Sequence, residues 1–383
     1  MSEKKQGFKF IISGGLLFIL FVFIYKVQIE YEFGDIPLHL KAALAKTGGY
    51  SLNTWVFYYL SKYTLPDNMG IALFLAFVST ATIIVGYRLL KYMDRKYNVG
   101  ENNWILWVIS CIVPFLGSIY IPKLYPYFYE NTISPIVWHN ATVIEMKLFG
   151  LISLLYFFRM YYEAENISGK DWILFTIALL LCNAFKPSYM LGFAPVTGIW
   201  LLVLLKKDRA NFKKVILIGT GIVISALPLF CQWIELYGEN GSNSGGGIAF
   251  VPGGRLLQTG EPFFKVICGL PFVIIMMIFG YKWIEKDRTK ELLGKFWFVN
   301  GMTVVNFLIY SFFLEKTNSG AGNLAWGLKG ILYFTYLMDL YTLVRAYREY
   351  RKQVLVISII PVLQLASGVA YTALLLSRHS FYF

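Results

Sequence analysis

The sequence predicts an all-α protein that crosses a lipid bilayer many times, and three observations carry that expectation. The 383 residues are 57% hydrophobic and only 15% charged, whereas a soluble domain carries about a quarter charged residues. Apolar runs of spanning length recur along the whole chain, so residues 1–383 form one integral membrane domain rather than a soluble domain with an anchor. These runs are too long for barrel strands and show no alternation. The net charge of +13 is no nucleic-acid footprint, because in a membrane protein basic residues orient the connecting loops.

About eleven transmembrane helices follow from these runs, at 10–25, 69–87, 104–122, 143–158, 172–185, 189–205, 215–233, 266–281, 296–314, 327–344 and 354–377. The first is basic in front (Lys4, Lys5, Lys9) and lacks a small-residue cleavage pattern, so it is expected to remain as an uncleaved span. The stretch 172–205 divides in two. As one helix it would reach about 51 Å, against an apolar core of about 30 Å. Lys186-Pro187 also sits at its middle, where lysine is costly in lipid and proline breaks the hydrogen-bond ladder. With this threading 23 of the 35 basic residues share the side of the amino terminus. The expected arrangement is a multi-pass plasma-membrane protein with a cytoplasmic N-terminus and an extracytoplasmic C-terminus. Cys111, Cys182, Cys231 and Cys268 lie in or beside apolar spans without paired spacing, and are read as core residues.

The chemistry is expected on the outer face, which holds His39, His139 and His379. The first extracytoplasmic loop, 26–68, contains two amphipathic helices of the kind that lie in the membrane interface. One begins at Asp35-Ile36-Pro37-Leu38-His39; the other runs from Ser51 to Tyr63 with Trp55, Phe57, Tyr58 and Tyr59. Asp35 is either an N-cap of the first helix or a reactive carboxylate. The segment 131–142 brings Trp138, His139 and Asn140 to the mouth of a helix bearing Glu145. It reads either as a capped helix start with an interfacial tryptophan or as a polar recognition site. Lys186 snorkels or pairs with an anionic head group. The glycine-rich loop 234–265, with Arg255, lacks the lysine and strand context of a phosphate loop and is read as a flexible lid. Glu315 and Asn323 complete the set.

These pieces resemble the GT-C superfamily of membrane glycosyltransferases, which use polyprenyl-phosphate-linked sugars. The resemblance rests on a first outer loop with two interfacial helices and an acidic residue at its start, here Asp35. It also rests on Trp138-His139-Asn140-Ala141-Thr142, Lys186-Pro187-Ser188 and Glu315…Gly322-Asn323…Trp326-Gly327, which are similar to elements of uncharacterised bacterial members. The chain departs from the pattern in having one acidic residue rather than an Asp-Glu pair, and Ala141 where proline is expected.

The resemblance implies transfer of a sugar from a polyprenyl-phosphate donor to a glycan, lipid or protein hydroxyl, with inversion and Asp35 as base. His39, His139, Asn140, Lys186, Arg255, Glu315, Asn323 and Trp138 would bind substrate. Lys186, Arg255, Lys329 and Arg378 are the cations available to a leaving phosphate, Lys186 first because proline fixes its position. No cofactor is expected; a divalent metal on Asp35, His39 and Glu145 is conceivable but lacks a recognised ligand spacing. The alternatives are a transporter or flippase of lipid-linked sugars, or a membrane polysaccharide polymerase. Asp339, the acidic residue well inside a late span, is accounted for by an interfacial partner such as Arg345.

Overall fold

The computed structural model describes residues 3–49, 51–95, 103–124, 133–163, 167–238, 246–258, 260–286, 289–316 and 323–379. Asn131, Thr132, Gly322 and positions 239–245 and 259 of the glycine-rich loop lie outside the described residues. Seven helices among them are long and apolar enough to cross a bilayer, or eight if one bent pair forms a single span. The chain is therefore a multi-pass membrane protein associated with lipid.

The first helix, α1 (Glu3–Glu30), packs along α4 (Met69–Asp94), and the Tyr25 and Ser79 hydroxyls meet between them at 2.6 Å. The loop that joins them forms α2 (Asp35–Leu44) and α3 (Leu52–Tyr63), the two short helices that the sequence predicts. Each turns a few apolar groups inward: Ile36, Leu40 and Ala43 from α2, and Phe57 from α3.

The expected span 104–122 is cut short. α5 (Asn103–Ile112) gives way to a single tight turn holding Pro114, and residues 116–120 continue as nonhelical chain. Proline removes a donor and disturbs the preceding turn, so the helix stops there. The freed backbone is paired inside the protein, as nonhelical chain at membrane depth must be. Gly117 donates to the Gln364 carbonyl at 3.0 Å, Ile119 to the Cys268 carbonyl at 2.9 Å, and Tyr120 to Ser367 Oγ at 3.1 Å. A Cβ on Gly117 would come within 3.1 Å of the Gly368 backbone, so the close approach needs glycine.

α6 (Ala141–Phe158) and α7 (Gly169–Phe185) pack side by side, and α8 (Ser188–Lys207) follows after the Lys186-Pro187 break that the sequence predicts. α9 (Phe212–Ser225) and α10 (Leu227–Tyr237) are nearly continuous. The described part of the glycine-rich segment forms strand β1 (Ile248–Phe250) and α11 (Gly254–Gln258). α12 (Pro262–Gly269) and α13 (Pro271–Lys286) make the bent pair, with 53° between them at Pro271. α14 (Lys290–Phe312) runs into β2 (Phe313–Glu315), which pairs antiparallel with β1 so that Ile248 faces Glu315.

The two last expected spans lie in one 56-residue helix, α15 (Asn323–Arg378). It would measure about 84 Å if straight, far beyond one bilayer. It loses helical geometry at Tyr350 (φ −118°, ψ 35°), between the two. Asp339 is fully buried in its first half and accepts from Asn300 Nδ2 of α14 at 3.3 Å. A neighbouring span's amide therefore holds it, where the sequence pointed to Arg345. All four cysteines are free, and Cys231 is exposed rather than in the core.

Two apolar bodies make up the interior. One gathers α1 to α4; the other gathers α7, α8, α13, α14 and the first half of α15. α6 lies on their seam, giving Ala141, Ile144 and Leu148 to the first and Val143, Met146 and Leu151 to the second.

Candidate functional site

One end of that seam collects most of the residues that the sequence singles out. Gly34 makes it possible: at φ 83° and ψ −171° it occupies backbone space that is essentially reserved for glycine, and so turns the chain into α2. Asp35 is the first helical residue, not the cap. Its Oδ2 accepts a 2.8 Å hydrogen bond from Asn140 Nδ2, which is 105 residues away.

Asn140 is oriented by its own helix. Its Oδ1 accepts from the Val143 amide at 3.1 Å and the Thr142 hydroxyl at 2.8 Å, capping α6. With the oxygen engaged there, Nδ2 is the edge left for Asp35. The residue that caps the helix thus also tethers the carboxylate. The loop before it is pinned from below. Gln28 Nε2 donates to the Trp138 carbonyl at 3.0 Å and Lys147 Nζ to the Pro135 carbonyl at 2.7 Å.

From the other body come Lys186, between α7 and α8, and the start of α15. Lys186 Nζ donates to Asn323 Oδ1 at 3.3 Å; Asn323 Nδ2 donates to both Glu315 carboxylate oxygens at 3.2 and 3.1 Å. Tyr237 donates to Glu315 Oε1 at 3.1 Å and closes α10 onto the same group. One turn along α15, Trp326 packs between His139, edge-on at 5.0 Å, and Lys329, whose Nζ lies 4.6 Å from the ring centre.

Electrostatics tie the halves together. Burial raises the Asp35 carboxyl above the usual carboxylate range, opposed by the Asn140 hydrogen bond and the ammoniums of Lys186 and Lys329. Burial lowers Lys186 to about 8, opposed by Asp35 and Glu315. Burial lowers His39 to about 4, and Lys186 pushes the same way. His139 lies well below the usual imidazole value, through burial and then Lys329, Lys147 and His39. Near neutrality both imidazoles are therefore uncharged, beside the Asp35 and Glu315 carboxyl groups and the Lys186 and Lys329 side chains. Asp35 makes no direct ion pair among the described residues; the opposite charges are held near each other and apart.

Two expected binders sit elsewhere. Trp138 is buried in the first apolar body, its ring against Phe21 and Phe115 and its Nε1 donating to Thr372 at 3.2 Å. It anchors the loop rather than facing a ligand, because a wholly enclosed indole must satisfy its N–H inside. Arg255 donates to Gln258 Oε1 at 3.0 Å within α11, on an exposed rim. No group of three acidic, histidine or cysteine side chains among the described residues gathers to hold a metal ion, so Asp35, His39 and Glu145 do not form a ligand set. Glu145 is instead fully buried below the mouth. Tyr237 carried no signal in the sequence, and Trp326 and Lys329 stood out only as neighbours of Asn323.

Comparison with known proteins finds no matching family model and no matching curated protein.

Proposed function

We propose that the chain is an inverting, GT-C-like glycosyltransferase that moves a sugar from a polyprenyl-phosphate-linked donor to an acceptor hydroxyl at the outer membrane face. The observation that carries this reading is the Asp35 carboxylate. It is fixed through one oxygen by Asn140, is not spent on its own helix, and lies in the field of two ammonium groups.

A hydroxyl is a weak nucleophile until its proton is taken, and a fixed carboxylate with a free oxygen can take it. In the proposed step the acceptor proton passes to Asp35 Oδ1 as the acceptor oxygen bonds to the anomeric carbon. The bond from that carbon to the phosphate oxygen breaks, and its electron pair leaves with the polyprenyl phosphate. Lys186 and Lys329 stabilise the charge that collects there. Asn323 and Glu315 hold the Lys186 ammonium in place, and His39 and His139, neutral near pH 7, are suited to hydrogen-bond sugar hydroxyls.

The test is release of polyprenyl phosphate, and labelling of endogenous acceptor, by membranes given radiolabelled polyprenyl-phosphate hexoses. Asp35→Asn should abolish both at normal expression and topology; retained release removes Asp35 as base. A second reading, carriage of lipid-linked sugar across the bilayer, draws support from the bent α12–α13 pair, since broken helices are common in carriers. Under that reading donor is consumed in neither the wild type nor the variant, while labelled lipid changes leaflet.

A further inference from the structure

We infer that a monatomic anion of halide size binds inside the bundle beside Lys147, beneath the loop that carries His139 and Asn140. The position is a small cavity of about 20 Å³, among Tyr25, Ser79, Thr82, Lys147 and Tyr333 and otherwise apolar side chains. That is room for one water or one monatomic ion, and too little for a phosphate or carboxylate.

Charge selects the occupant. Lys147 is 6% exposed and makes no ion pair among the described residues. One of its three N–H donors goes to the Pro135 carbonyl at 2.7 Å, and its Nζ stands 5.3 Å from the centre of the Tyr333 ring. A buried ammonium without a counter-charge is strongly unfavourable, so Lys147 must either lose its proton or gain an anion beside it.

The surrounding hydroxyls supply donors. Tyr333 Oη is buried without a well-formed hydrogen bond among the described residues, and the Ser110 hydroxyl beside it already donates to the Ile83 carbonyl at 2.6 Å. Tyr25 and Ser79 share one hydrogen bond at 2.6 Å, which leaves one of their two O–H groups to point elsewhere. Thr82 already donates to the Val78 carbonyl at 2.7 Å and offers only lone pairs. Two ammonium N–H groups and two hydroxyls thus remain for a single acceptor. A water would use some of them and leave the charge uncompensated; a halide accepts them all and neutralises Lys147. Because Lys147 also holds the Pro135 carbonyl and Trp138 lines the same cavity, the ion would steady the loop above.

The proposal is independent of what the outer site does. Crystals of the full chain soaked in sodium bromide should show an anomalous peak within hydrogen-bonding reach of Lys147 Nζ and Tyr333 Oη. Density there without anomalous signal identifies a water and overturns the proposal. In solution, replacing gluconate by chloride at equal ionic strength should raise the melting temperature of the wild type. Lys147→Met should lose that rise, and Tyr333→Phe should weaken chloride binding by about tenfold or more. Tyr333→Phe removes one oxygen from a retained ring, so it keeps the test open if Lys147→Met fails to fold. An equal chloride response in wild type and Tyr333→Phe overturns the inference.

Discussion

The two ends of the bundle treat charge in opposite ways. At the basic end two ion pairs join charges close in sequence, although Asp94 there accepts from Tyr341 across 247 residues. Lys295 pairs with Glu291 one turn away at 2.6 Å, with Tyr92 under its ammonium at 4.4 Å, and Arg159 meets Asp171 at 3.3 Å. At the Asp35 end the links span the chain: Asp35 to Asn140 across 105 residues, and Lys186 to Asn323 across 137. There the Asp35 and Glu315 carboxylates are held by the neutral amides of Asn140 and Asn323, with the Tyr237 phenol also on Glu315. Amide tethers fix a carboxylate in place without neutralising it, so it stays available to a third party. In the proposed transfer the Asp35 end is the one poised for a ligand.

Substitutions can break that contrast, and the largest effect is expected at the base. Asp35→Asn should lower transfer by about 10²–10⁴-fold, the contribution of a positioned general base, with melting temperature little changed. An Asn variant that is equally active would make the Asp35 end as inert as the other. Next comes Lys186→Ala, expected to cost about 10²–10³-fold in kcat/KM for the lipid donor, with little change in acceptor KM.

The pH profile sharpens the comparison further. Activity needs Asp35 charged, and its carboxyl is raised, so the acidic limb should lie above the ordinary aspartate value of about 4. Activity also needs Lys186 protonated, so a second limb should fall near pH 8. Asn140→Ala removes a hydrogen bond that favours the carboxylate, so it should move the acidic limb to higher pH. It should also cost about 1 kcal/mol of stability as a lost helix cap. The smallest effect belongs to the opposite end: Arg159→Gln should change stability by less than about 1 kcal/mol and leave transfer intact.

How far the sequence reached follows from the kind of information it holds. Long apolar runs announce helices, and α2, α3 and the Lys186-Pro187 break fall where composition and proline place them. The run 104–122 misled because hydropathy counts residues without asking whether Pro114 lets the ladder continue. Asp35, Asn140, Lys186, Glu315 and Asn323 were legible as polar groups stranded among apolar ones. Their joining was not, because pairing across a hundred residues is set by how α6 seats on the seam. Trp138 misled for a related reason. An indole beside a polar mouth can face either way, and Thr372, far along the chain, decides it.

The nonhelical stretch after Pro114 has a consequence for biogenesis. Its amides find their acceptors at Cys268 and Gln364, and Gly117 nests against Gly368. A ribosome delivers Cys268 149 residues after Ile119, and Gln364 247 residues after Gly117. Until then residues 116–120 sit in the nascent assembly as an open seat. A truncated product ending ahead of the closing crossing would leave bare peptide groups facing acyl chains, a mark that a membrane protease can act on.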